Sequence, residues 1–155
     1  MIVYRICSTP YAYDLNGTGA ALYGGRWNPP GLPLLYTGGS ISLSYLEYLA
    51  HNIHILASKE ISLVKISIDK NAKIDEIDIA ALPDNWRAIS YVPDTTQKIG
   101  VSFITRRDSY ILKVPSAIVP NEYNYLLNPQ HPDHRSTQVT ECIDSFEIDK
   151  RFLDT

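Results

Sequence analysis

Leu34-Leu35-Tyr36-Thr37-Gly38-Gly39-Ser40-Ile41-Ser42-Leu43 is the stretch at which the pattern of the chain changes. Four residues of a short buried strand stop at a Gly-Gly pair, and Ser40 or Ser42 then offers the N-cap of a helix. The helix is expected to run to about Ala57. At roughly 100° per residue, Leu43, Leu46, Ala50, Ile53 and Ala57 share one face, with Glu47 at its edge and His54 nearby. A carboxylate at the rim of a buried stripe looks into a cleft, where desolvation can tune it. It is equally the place of an ordinary amphipathic-helix charge that reaches out to water.

Upstream, residues 2–7 alternate and read as a strand. Residues 8–31 are rich in Gly, Pro, Asn and Thr and read as a long loop, with one helical turn near Ala20-Ala21-Leu22. A loop of this length in a small domain is usually functional. Its end, Gly24-Gly25-Arg26-Trp27-Asn28-Pro29-Pro30-Gly31, is stiff except at the arginine. A guanidinium held there suits phosphate or carboxylate through paired hydrogen bonds.

Downstream, Ile61–Ile68 reads as a strand and 69–82 as a solvated connection or short edge strand. Leu82-Pro83-Asp84-Asn85-Trp86-Arg87 offers a helix start, and 91–100 reads as loop. Tyr110–Pro115 and Tyr123–Leu127 read as strands joined by Ser116–Glu122. Asn128–His134 is loop, and Cys142 to about Ile148 a last strand. No repeat or linker is apparent in the 155 residues, so the expectation is a single strand-rich α+β domain over 1–155.

The balance of 14 basic against 17 acidic residues gives a net charge of -3, which argues against broad binding of nucleic acid. Eleven Tyr against three Phe supply rings that can stack while keeping a polar tip. Most of them are expected in the core and sheet. Cys7 and Cys142 show no metal spacing and read as buried reduced thiols rather than a disulfide. His131 and His134 flank Pro132-Asp133 but no third ligand is in view, so no metal is expected. No signal-peptide layout and no membrane-length apolar run is present, and the chain reads as cytoplasmic.

Arg26, Tyr36, Glu47 and Ser116 occupy loop tips, strand ends or a helix rim, positions that converge on clefts. Ser116 follows Pro115 and could simply turn the chain. Without Gly-x-Ser-x-Gly or a partnered His it is a poor nucleophile candidate.

Gly-Gly-Arg-Trp-Asn-x-Pro-Gly, a strand ending in Tyr-Thr, Leu-Glu-Tyr-Leu-Ala-His on a helix, Val-Pro-Ser, and Asn-Tyr-Leu-Leu-Asn-Pro-x-His-Pro-Asp occur here in that order. Together they resemble the RES domain, over about residues 4–134. The family is named for an Arg, a Glu and a Ser, which fall on Arg26, Glu47 and Ser116. Tyr36 matches its active-site tyrosine.

The resemblance implies a fold similar to ADP-ribosyltransferases. It also implies a toxin of a bacterial toxin–antitoxin pair that depletes NAD by breaking the nicotinamide–ribose bond, with phosphate or water as acceptor. Some members are thought to modify a protein instead. NAD is then a substrate and no cofactor is needed. The implied partner is an antitoxin with a helix-turn-helix part, whose C-terminal segment covers the cleft.

Cleaving that bond leaves an oxocarbenium-like ribose. Glu47 is the residue suited to stabilise it, and Arg26 to hold the pyrophosphate or an attacking phosphate. Tyr36 would stack on nicotinamide or offer its hydroxyl, and Ser116 would bond substrate or orient Glu47. Arg5, Trp27 and Asn128 complete the expected substrate-binding set. No Gly-x-Gly-x-x-Gly follows a strand, so the cleft would not be of the Rossmann type. A transferase acting on a protein and a non-catalytic nucleotide-binding module are the competing classes.

Overall fold

The computed structural model describes residues 1–52, 60–149 and 151. Its strands are β1 (Ile2–Ser8), β2 (Leu35–Gly38), β3 (Ile61–Ser67), β4 (Ile74–Glu76), β5 (Ile111–Pro115), β6 (Tyr123–Leu127) and β7 (Gln138–Ile143). They form one sheet in the order β4-β5-β6-β2-β1-β3-β7. Every neighbouring pair is antiparallel except β4 with β5. Among the described residues three α-helices accompany it: α1 (Thr18–Tyr23), α2 (Ile41–Asn52) and α3 (Asp94–Arg106). This is the mixed α+β architecture expected of the sequence.

Strand side chains alternate between faces, and the sheet is buried on both. One face carries Val3, Cys7, Leu35, Val64, Ile111 and Leu127. The other carries two separate clusters. Trp27, Trp86, Phe103, Ile104, Leu112 and Leu126 pack together on the α3 side. Ile6, Ile61 and Leu63 pack with Tyr45 and Tyr48 of α2. The seam between these two clusters is where the polar residues gather.

Several elements depart from the sequence reading. The stretch 91–100, expected as loop, belongs largely to α3, while 84–87 forms turns rather than a helix. Thr96, Gly100, Phe103 and Ile104 are buried at helical spacing, but two of these four are small or polar and hide the apolar period. Gly100 is required by close approach: a Cβ there would stand 1.7 Å from the carbonyl oxygen of Trp27. The last strand lies at Gln138–Ile143 rather than from Cys142 onward. Asp144-Ser145 ends it, with Ser145 at φ 54. Its largely exposed pattern is that of an edge strand.

On α2 the buried residues are Leu43, Ser44 and Leu49, while Leu46 and Ala50, expected on the core face, are exposed. Ile53, His54 and Ala57, read as the continuation of this helix, lie outside the described residues. Ser44 can be buried because its single hydroxyl proton has two carbonyl acceptors in reach, Tyr4 at 3.0 Å and Ser40 at 2.9 Å.

Both cysteines are free thiols; Cys7 is buried as expected, but Cys142 is only half-buried. Cys7 sits on β1 and Cys142 on β7, with β3 between them. Two interstrand spacings of about 4.8 Å put them beyond the ~7 Å reach of a disulfide.

Candidate functional site

The loop before β2 is built around Asn28, which is fully buried. Its amide nitrogen donates to the carbonyls of Ala20 and Leu32, both at 2.8 Å. Its Oδ1 accepts the Tyr36 hydroxyl at 2.7 Å, and that hydroxyl accepts the Trp27 N–H at 3.0 Å. The stiffness read from the glycines and prolines is thus supplied by a closed polar circuit under the arginine. Burial drives the Tyr36 hydroxyl far above its ordinary range, so it stays protonated and committed to the loop.

Arg26 emerges from this circuit. Its Nη1 donates to the carbonyl of Trp86, and its guanidinium carbon lies 5.6 Å from the centroid of the Tyr91 ring. Thr96 and Gln97 of α3 bind the loop backbone, at the carbonyls of Arg26 (2.6 Å) and Gly25 (2.9 Å). Burial pulls the guanidinium below its ordinary value, and the negative charge of Glu47 is the first influence opposing it. The charge of Glu47 is thus felt at Arg26, with no ion pair between them among the described residues.

Glu47 arrives from the other side of the seam. Gly38, at the end of β2, has no Cβ, and one placed there would meet the Ser44 hydroxyl at 2.4 Å. The first turn of α2 can therefore lie close on the strand, and Glu47, three residues after Ser44, comes down over β6. Its Oε1 accepts the Ser116 hydroxyl at 2.8 Å and the Asn124 amide at 2.6 Å. Its Oε2 lies 3.8 Å from Nε2 of His51, whose side chain is largely exposed. Glu47 faces inward, with a side chain 19% exposed, rather than sitting at the edge of an apolar stripe.

Ser116 is completely buried, and its hydroxyl oxygen accepts the N–H groups of Ile118 and Val119, each at 3.0 Å. Both lone pairs are taken, and the single proton points to Glu47. A hydroxyl so engaged orients a carboxylate and is not a nucleophile.

The structure thus brings Arg26, Tyr36, Glu47 and Ser116 together on one face of the sheet. Three other expected residues have their side chains engaged in holding the fold. Arg5 is on β1 with Val3 and Cys7, on the opposite face from Tyr36 and Asn124. There its Nη1 binds the carbonyls of Asp14 (2.7 Å) and Tyr11 (3.3 Å). Trp27 is buried in the core between the loop and α3. Asn128 is fully buried and holds the Ile104 carbonyl at 3.1 Å and the Gln130 N–H at 3.0 Å.

Residues that sequence reasoning passed over are Asn124, Tyr91, His51, Thr96 and Gln97. Asn124 carried a faint signal, a polar residue facing the same way as Leu126 in an otherwise core strand. His51 stands four residues after Glu47 on the same helix. Tyr91 and the Trp86 carbonyl carried none, because their contact with Arg26 spans 60 residues or more of chain. His131 and His134, weighed as a metal pair, are packed on Tyr110 with ring centroids 5.7 and 5.8 Å away. Among the described residues no group of three metal-ligating side chains occurs.

A seven-stranded sheet covered on one face by two helical clusters is also the fold of a toxin–antitoxin protein of known structure. A chain of the M. tuberculosis MbcT–MbcA toxin–antitoxin complex superposes with a TM-score of 0.74 at 19% identity, covering 92% of this chain and 82% of that one. The RES domain model matches residues 2–149, and the chain belongs to the RES domain family. Toxin Res of Photorhabdus laumondii is 41% identical over 99% of this chain and 97% of its own length. The Prs ADP-ribosylating toxin of a Sphingobium species is 30% identical over 88% of this chain and 87% of its own. Among the described residues no helix is long and apolar enough to cross a membrane.

Proposed function

We propose that this protein is the toxin of a toxin–antitoxin pair and consumes NAD by breaking the nicotinamide–ribose bond. The observation that carries this reading is the carboxylate of Glu47, anchored at Oε1 by Ser116 and Asn124, on the same sheet face as Tyr36, which holds the loop of Arg26 two register positions along the β2–β6 pair. In the reaction the C1′–N bond breaks, its electron pair leaves with nicotinamide, and the ribose carbon becomes cationic. Glu47 offers that centre a fixed negative charge that needs no reorganisation. Arg26, already oriented by Trp86 and Tyr91, holds an anionic oxygen of the pyrophosphate or of an acceptor phosphate. The acceptor oxygen closes on the cation and, where it is water, releases a proton to solvent.

The toxin names of the relatives support this assignment, as does a partnered toxin as structural neighbour. The same comparison supports an antitoxin partner, and the family resemblance implies a helix-turn-helix protein covering the cleft. Purified protein incubated with NAD, with and without phosphate, is expected to release nicotinamide. Absence of release under both conditions at high protein concentration would overturn the reading.

One observation favours a second acceptor. The Sphingobium relative is called an ADP-ribosylating toxin. Transfer of the ADP-ribosyl group to a protein uses the same bond cleavage and the same two charged residues. NAD labelled in the adenylate half distinguishes the two, since label would then appear on a macromolecule.

A further inference from the structure

The two oxygens of Glu47 are held unequally. Oε1 receives both donors, the Ser116 hydroxyl at 2.8 Å and the Asn124 amide at 2.6 Å, while Oε2 lies toward the exposed His51. The Ser116 donor is fixed by the chain itself, since the Ile118 and Val119 N–H groups fill its oxygen. The Asn124 donor is a matter of side-chain choice at one position of β6. That position lies between Val114 of β5 and Gly38 of β2, so the amide rises where the neighbouring strand offers no side chain. A carboxylate only accepts, so the nitrogen of Asn124 must face it.

We propose that Asn124 is a positioning residue: it locks Oε1 of Glu47 so that Oε2 is the oxygen presented to substrate. Its catalytic consequence rests on the NAD-consuming reading; the lock itself does not. Arg26 and His51 are the charged or titratable groups facing the same carboxylate.

The test is Asn124→Asp, which keeps the shape and replaces the donor by a second carboxylate. Nicotinamide release should fall about tenfold or more in kcat near neutral pH, with KM for NAD within about threefold. The ratio of variant to wild-type kcat should rise from about pH 7.5 to about 5.5, as the new carboxyl regains an O–H donor. A loss of the same size at every pH, or no loss, overturns the proposal. Should that variant not fold, Asn124→Ser is expected to lower kcat with no pH recovery, because its hydroxyl is too short to reach, and kcat within about twofold of wild type overturns the idea. Proton NMR of the Asn124 side-chain amide needs no substrate. One of its two N–H resonances should be shifted downfield and slowed in exchange by the bond to Glu47, and Glu47→Ala should abolish both features. A free-amide signal in the wild type overturns the lock. A locked amide in a protein that consumes no NAD would instead remove the proposed function and leave the lock standing.

Discussion

Gly100 of α3 lies against the backbone of Trp27, so close that a Cβ would stand 1.7 Å from the Trp27 carbonyl oxygen. That contact seats the arginine loop on the helix. Gly100→Ala therefore cannot be absorbed by a side-chain rotation, and the loop must lift. The expected result is a stability loss of about 1–3 kcal/mol or more, read from denaturant unfolding, together with loss of activity although no site residue has changed. Retention of both would show that the helix and loop can separate freely.

Glu47→Gln keeps the shape and leaves an oxygen to accept from Ser116 and Asn124, while removing the charge. Stability should be little changed. NAD consumption should drop by about two to three orders of magnitude, the cost typical of losing one preorganised electrostatic group. Expressed without a partner, this variant should no longer arrest bacterial growth.

Arg26→Lys retains a positive charge but not the planar fork that binds the Trp86 carbonyl and rests on Tyr91. Its effect should fall mainly on KM for NAD, by about tenfold or more. Equal KM values for lysine and arginine would argue that charge alone is used.

Tyr36→Phe removes an acceptor for the Trp27 N–H and a donor to Asn28 at once. Leaving those groups unpaired should cost about 1–3 kcal/mol. Thermal unfolding measures this directly, and a neutral result would show that water replaces the hydroxyl.

The Tyr110 hydroxyl, pushed up to about 12 by burial, bonds Thr137 at 2.6 Å and Nδ1 of His134 at 2.8 Å. Burial lowers the pKa of His134 below 6.5. The unfolded chain then takes up the proton first as pH falls. Stability contributed by His134 is complete above about pH 6.5 and is lost as pH drops through the folded-state value. His134→Gln should flatten unfolding free energy between about pH 7.5 and 5.5; an unchanged slope would assign the dependence to other groups.

Much of this was legible in the sequence where local chemistry decides the outcome. The strand at Tyr123–Leu127 and the capped start of α2 are written in residues that lie side by side. The helix at Asp94–Arg106 was not legible, because Gly100 and Thr96 occupy buried helical positions for reasons of contact with Trp27 and Arg26. The inward turn of Glu47 depends likewise on Gly38 and Ser44, a close approach that periodicity alone cannot show. Arg26 and Glu47 stood out by residue type and motif. What holds them, the Trp86 carbonyl, Tyr91 and Asn124, comes from segments far along the chain and is visible only in three dimensions.

Arg26 is gripped by a carbonyl oxygen and an aromatic ring, and among the described residues it takes part in no ion pair. A dipole and a ring face orient a guanidinium without cancelling its charge. A carboxylate in their place would have had to be displaced by each arriving anion. The protein thus keeps its attraction for anions uncommitted between encounters, and any partner that silences it by occupying the cleft would be expected to bring a negative charge of its own.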